Sequence, residues 1–387
     1  MESKEYIKGV ITGVFLAAAG VLLGLVLYRK FHTEQYVMSD PAHVARMEAL
    51  EDMIDEYYLN ETDDEKLADG VYHGLIYGLG DPYSRYYSPE EYEAEMTVSD
   101  GSYVGIGVTM SRLSDGTIEI IEVYEGGSGE AAGLLPGDVI LSVDGQDAKE
   151  MGLEALVSYI KSGEHDPVTM VVERPENGEI TLEVRVTNIE LPSVHSSMLE
   201  DETGYIDIDE FKGVTTEQFR QAYEDLNRQG MQRLIVDLRD NPGGYVNTVC
   251  DILRMMLPEG LIVYTEDKNG KREEEICKGE NPIEIPLAVL VNRNSASASE
   301  IFAGAVQDHG VGTVIGETTF GKGIVQSIRS FRDGSAVKLT VSHYYTPNGH
   351  DIHEVGIRPD VEVEPEEQGE EDAYISKALE VLEATAE

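Results

Sequence analysis

Residues 290–326, with the apolar run that leads into them, constrain what this chain can fold into more than any other stretch. An apolar run over 285–291 reads as a buried strand and breaks at Asn292-Arg293-Asn294, a turn-type cluster. A small-residue segment with three serines, Ser295, Ser297 and Ser299, leads into the helical spacing Ile301, Phe302, Ala305, Val306. Strand, sharp turn and helix in that order present a hydroxyl beside a helix N-terminus, where backbone N–H groups are free to hold an anion. Farther on, Lys322 stands between Gly321 and Gly323, open to close approach from either side, and Gln326 follows. Around this stretch, residues 188–365 alternate strands (204–208, 234–238, 261–266, 286–292, 311–316, 324–331, 335–345) with helices (217–229, 246–257). That pattern predicts an α/β core in which helices cover an apolar sheet.

The segments SASASEI (295–301) and TFGKGIVQ (319–326), with DLRDNPGG (237–244) and YYTPNGHDIHEVGIRPD (344–360), closely resemble the carboxyl-terminal processing peptidases, also called tail-specific proteases. The resemblance runs from about residue 40 to about residue 365 and rests on several separate motifs in the right order. It implies a serine peptidase with a Ser–Lys pair and a PDZ domain, on a core fold shared with enoyl-CoA-hydratase-like (crotonase-like) enzymes. Its spacings select Ser297 as nucleophile over the neighbouring serines, with Lys322 and Gln326 as partners. Fold alone does not settle chemistry, so the residues have to carry it.

The chemistry follows from parts. Peptide cleavage needs a nucleophile, a base, and donors for the developing oxyanion. Ser297 Oγ would attack the scissile carbonyl, and neutral Lys322 would take its proton and later protonate the leaving amine. An exposed lysine titrates near about 10.4, and bringing it to neutrality is worth about 4 kcal/mol. Burial in an apolar pocket supplies a change of that size, and Phe320, Ile324 and Val325 are candidates to line it. Gln326 would orient the lysine by a hydrogen bond, yet in an extended strand residues 322 and 326 lie about 13 Å apart. Either the segment bends or Gln326 acts indirectly. The oxyanion donors expected are the N–H groups of Ala298 and Gly243. Ser297-x-x-Glu300 is also a capping box, and taken alone Ser297 could simply cap its helix; Ser295 is the better cap candidate. His309 beside Asp308 suggests a Ser–His–Asp triad, but no G-x-S-x-G elbow surrounds any serine, and His309-Gly310 reads as a helix C-terminus. His343, His350 and His353 form no compact metal pattern, so no metal or cofactor is expected.

Residues 97–187 resemble a PDZ module. Tyr103-Val104-Gly105-Ile106-Gly107 resembles its carboxylate-binding loop, where glycines let N–H groups converge on a chain-terminal carboxylate and a strand edge pairs with an extended peptide. Leu135-Pro136-Gly137-Asp138 is a turn before the alternating Val139, Leu141 and Val143. Residues 152–161 give an amphipathic helix for the groove's other wall, and 168–172 and 180–186 supply closing strands. The expected partner is a protein or peptide with a free C-terminus; a degenerate PDZ fold that only packs is the alternative. Residues 40–96 read as short helices, a packing subdomain or, as in the family, a homodimer contact.

Residues 9–28 hold no charged residue, and twenty apolar positions can cross a hydrocarbon core of about 30 Å. With no small-x-small cleavage site after the run, an uncleaved signal anchor is expected, leaving 1–8 as a cytoplasmic tail; a cleaved signal peptide is the other reading. The resemblance implies a catalytic domain outside the cytoplasm, anchored at the cell membrane. Net charge is −45, from 74 acidic against 29 basic residues, which repels nucleic acid and anionic lipid. Cys250 and Cys277 lie outside every motif. Past the acidic run at 364–372, residues 373–385 form an amphipathic helix within the C-terminal segment 366–387. The expected whole is a multidomain α/β (α+β) protein: transmembrane helix, helical arm, PDZ domain and peptidase core. A catalytically silent PDZ scaffold that binds protein C-termini is the rival function.

Overall fold

A computed structural model describes residues 36–124, 126–175, 177–363 and 372–385. The expected anchor (9–28) and tail (1–8) lie outside the described residues. Among the described residues no helix is long and apolar enough to cross a membrane.

The chain divides into two compact units, the first ending at Gly70 and the second starting at Val71. In the first, helix α1 (Pro41–Tyr57) starts at Asp40, whose carboxylate accepts the Ala42 N–H at 2.8 Å, with Pro41 at the first helical position. Helix α2 (Asp64–Tyr77) belongs to it by its first half. No residue of α1 is buried, although Val44, Leu50, Met53 and Tyr57 are exposed apolar groups.

Among the described residues the second unit holds four sheets. Its elements after α2 are β1 (Arg85–Tyr87), α3 (Pro89–Asp100), β2 (Ser102–Gly105), β3 (Val108–Arg112), β4 (Ile118–Val123), α4 (Ser128–Ala132), β5 (Val139–Val143), β6 (Gln146–Asp147), α5 (Ala148–Met151), α6 (Leu153–Lys161), β7 (Val168–Arg174), β8 (Gly178–Val184) and β9 (Thr187–Glu190). They continue with β10 (Val194–Met198), β11 (Thr203–Ile208), α7 (Thr215–Arg228), β12 (Arg233–Asp237), α8 (Val246–Arg254), β13 (Gly260–Asp267), β14 (Arg272–Cys277), β15 (Leu287–Val291), α9 (Ala298–His309), β16 (Thr313–Gly316), β17 (Ile324–Ser330), β18 (Ala336–Tyr345), β19 (Val361–Glu362) and α10 (Ala373–Thr385).

The central sheet runs β10-β11-β12-β15-β16-β19, parallel from β11 onward. Side chains alternate along its strands. Leu234, Val236, Val289 and Val291 pack with Phe219, Val249 and Phe302 from α7, α8 and α9. Ile235, Ala288 and Leu290 face the other way, against Tyr374, Ala378 and Leu382 of α10. Both faces are therefore covered, the condition under which parallel strands read as continuous apolar runs. The C-terminal helix docks on its own core.

An antiparallel sheet, β1-β18-β13-β14 with β17 on the other edge of β18, stands beside it. Strand β1 comes from a region the sequence pattern assigned to helices and a turn; three residues paired at Ala336–Lys338 are too few to show a period. The third sheet, β3-β4-β5-β7-β8 with β6 on β5, has its own core of Ile118, Ile140, Leu156, Met170 and Val172 among others. The ribbon β2-β9 completes the set.

Candidate active site

Ser297 sits where β15 hands over to α9. The turn between them is bolted to the stretch after β12. Ser295 Oγ donates to Leu238 O (2.7 Å) and accepts from Asn292 N; Ser299 Oγ donates to Asn241 O (3.0 Å); Ala296 N donates to the same carbonyl. Ser295 is thus a tie between strand ends and not the helix cap. Ser297 itself occupies the position preceding α9, with φ 56° and ψ −111°. A non-glycine residue in that region costs on the order of 1–3 kcal/mol and is typical of functional sites. Gly243, at φ +110°, lies so close that a Cβ there would stand 2.8 Å from Ser297 Cβ and 3.0 Å from Ala298 N. Only glycine fits.

Lys322 reaches the same place from the loop before β17. Two groups hold Ser297 and Lys322 together. The Glu300 carboxylate, fully buried, accepts from Ser297 N and Lys322 N (both 2.8 Å), from Gly321 N (2.7 Å) and from Thr319 Oγ1 (2.6 Å). The Tyr344 hydroxyl, also buried, lies 2.9 Å from Ser297 O and 2.6 Å from Lys322 O, its one proton shared between the two carbonyls. The N–H groups of both residues thus meet one carboxylate and their carbonyls meet one phenol. Both side chains line one cavity of about 560 Å³, with Gly244, Tyr245, Gln326 and Tyr344 among its walls.

Burial pulls the Lys322 pKa below the ordinary lysine value, and the Lys338 cation adds to that; Glu300 and Asp81 oppose it. The ammonium nitrogen lies 4.7 Å from the Tyr83 ring centroid. Gly323 leaves no room for a side chain, since a Cβ would meet His353 N at 2.5 Å.

The remaining expected residues are placed less simply. Gln326 lines the cavity, and the β17–β18 register slips between Val325 and Gln326, with the extra residue, Val341, on β18. Its amide makes long contacts to Ile324 O (3.4 Å) and Thr340 Oγ1 (3.5 Å), not to Lys322. Ala298 N–H, first in α9, has no acceptor within its own helix. Gly243 N–H donates to Asn241 Oδ1 (2.8 Å). Next to it, Phe211 N donates to Gly243 O and Tyr245 N to Phe211 O, so Gly244 turns its own N–H away from Phe211. His309 ends α9 with Nε2 2.7 Å from Leu261 O, far from any triad role. Among the described residues no group of three or more His, Cys, Asp or Glu side chains is arranged to hold a metal.

In the separate sheet, β3 pairs with β4 alone among the described residues, which leaves its outer edge open there. Tyr103, Val104 and Gly105 pair with Asn188 and its neighbours in β9, and Gly105-Ile106-Gly107 forms the bend into β3. The bend's carbonyls are held from within: Gly129 N donates to Ile106 O and Tyr124 N to Gly107 O. Asp138 of the turn before β5 is fully buried and takes two hydrogen bonds of 2.7 Å from Arg174 and one from Leu135 N. These partners hold its carboxyl below the usual range against the upward push of burial. Sequence reasoning found the turn; Arg174, 36 residues away, carried no signal.

Comparison with known proteins agrees with this layout. The model for peptidase family S41 matches residues 202–363, that for the PDZ domain matches 119–174, and that for the activating protease CtpB N-terminal domain matches 28–91. The chain is 36% identical over 317 residues to carboxy-terminal processing protease CtpA of Bacillus subtilis (strain 168), covering 82% of this chain and 68% of that protein. It is 35% identical to a carboxyl-terminal-processing protease of Synechocystis (75% and 69% covered). It is 32% identical to a probable CtpA-like serine protease of Staphylococcus aureus (84% and 66% covered). With the layout described above, these matches place the chain in the carboxyl-terminal processing proteases, serine-type peptidases of family S41 that carry a PDZ domain.

Proposed function

We propose that this chain is a membrane-anchored endopeptidase in which Ser297 is the nucleophile and Lys322 the general base. One observation carries the pairing: Glu300 and Tyr344 each bind the backbones of both residues at one cavity. Ser297 Oγ attacks the scissile carbonyl as its proton passes to neutral Lys322. The C–N bond then breaks with that proton delivered to the leaving amine, and water releases the acyl-enzyme by the same route. Ala298 N–H is one oxyanion donor. Gly243 N–H, the expected second, is engaged by Asn241, so either that bond is exchanged or the neighbouring Gly244 N–H serves. Gln326 positions the lysine indirectly, from the wall of the cavity the two share.

The PDZ module selects substrates by their C-termini, adding the tail as a strand on the open edge of β3 with its carboxylate at 105–107. Residues 9–28 anchor the protein in the cell membrane with its catalytic part outside the cytoplasm, and the helical arm pairs two copies. The test compares the fragment from residue 40 onward with Ser297→Ala and Lys322→Ala on unfolded casein across pH. Cleavage should be lost in both variants. In the wild type it should fall at acid pH, because the base must be neutral and its pKa lies below the ordinary lysine value. Retained cleavage by Ser297→Ala ends the proposal. Absence of cleavage by the wild type, even with an added carboxylate-ended peptide that binds, favours a silent scaffold.

A further inference from the structure

Strand β17 starts two residues beyond Lys322, and among the described residues it pairs with β18 alone. The other edge of β18 carries β1 and β13. Lys338 stands opposite both Ile328 and Arg85, and Thr340, opposite Gln326, gives its N–H to Ser84 Oγ at 3.1 Å. In an antiparallel ladder a residue whose N–H turns to one side faces a partner whose own N–H and C=O turn away from it. Gln326 and Ile328 therefore direct their main-chain groups outward, off the sheet. Both line the cavity that holds Ser297 and Lys322, and both line an adjoining cavity of about 1000 Å³; Val246 and Val325 are shared as well. An open strand edge thus runs past the reacting side chains and on into a second chamber.

Proteins normally cover or blunt such an edge, because it templates pairing with another chain. Here its position beside the catalytic pair decides the occupant. We propose that the outer edge of β17 is the seat of the scissile segment: an extended substrate polypeptide adds as a strand, exchanging main-chain hydrogen bonds with Gln326 and Ile328. This rests on the peptidase reading and deepens it. It makes recognition at the cut depend on backbone, with contacts recurring at every second substrate residue, about 6.6–6.8 Å apart.

A casein-derived peptide spanning one observed cut, resynthesised with each main-chain nitrogen methylated in turn, tests this. Affinity is read by fluorescence polarisation on the Ser297→Ala protein and kcat/KM on the wild type. Losses of about tenfold or more should fall at alternate positions, with little change between them. Equal losses at successive positions, or none, overturn the proposal. Ile328→Pro gives an independent reading, since proline is tolerated on an edge strand where the N–H faces outward. It should keep the wild-type Tm and lose about tenfold in kcat/KM; a folded Ile328→Pro protein at wild-type kcat/KM also overturns it. The two readings stay separate. A peptide cut as fast by Ser297→Ala removes Ser297 as the nucleophile, while alternation in binding is judged without any cleavage.

Discussion

Replacing Glu300 by glutamine isolates what the buried carboxylate does. The side chain keeps its shape, but one oxygen becomes an NH2 group. If that group replaces Oε2 it faces Ser297 N and Lys322 N, two donors that cannot reverse. If it replaces Oε1 it faces Gly321 N and Thr319 Oγ1, and the hydroxyl can turn to accept. The second orientation costs less. It strands one N–H and weakens the surviving bonds from charge-assisted to neutral, a loss of about 2–5 kcal/mol in total. Tm should fall by several degrees and kcat by about 10- to 100-fold, as the Ser297 turn and the Lys322 loop lose their common tether. A second signature separates electrostatics from mere damage. The Glu300 charge raises the Lys322 pKa. Removing it lets that pKa drop further, so the acid limb of the kcat/KM profile should move to lower pH even as the rate declines. An acid limb that stays in place or moves up, or activity within about threefold of wild type, would refute the reasoning.

Lys322→Met should raise Tm at pH 7. The lysine's pKa is lowered on folding, so its charged form is disfavoured in the native state; the cost is fullest below the native pKa and fades as pH rises toward the unfolded value. Differential scanning fluorimetry across pH should show the gain shrinking at alkaline pH. Gly243→Ala places a Cβ 2.8 Å from Ser297 Cβ and from Ala296 O at φ +110°, and should lower kcat by about 100-fold or more, read on the same casein assay. Arg174→Met leaves the fully buried Asp138 carboxylate unpaired. It should cost about 3–5 kcal/mol in the PDZ sheet by urea denaturation, while a short peptide that bypasses tail recognition is still cut.

How much of this was legible in the sequence depended on range. Strands β11, β12, β15 and β16 and helices α7 and α9 announced themselves because each is locally periodic and the core face repeats within it. The family was legible through the motifs around Ser297, Lys322 and Gln326, and it is the one the comparisons give. Strand β1 and the partner of Asp138 were not, because nothing within a few residues fixes a contact made across 36 or more positions. The Ser297-x-x-Glu300 pattern shows why the candidate site sat between these cases. Read locally it is a capping box, and half of that box is real, since Glu300 does accept the Ser297 N–H. Its other three hydrogen bonds come from residues 319–322, and the matching phenol comes from residue 344. A cap satisfies the end of one helix. Here the same carboxylate joins that helix end to the loop that carries Lys322. The cap reading and the proposed catalytic reading of Ser297 therefore do not compete: the local motif fixes the Ser297 backbone, and the long-range partners of Glu300 bring the Lys322 loop to it.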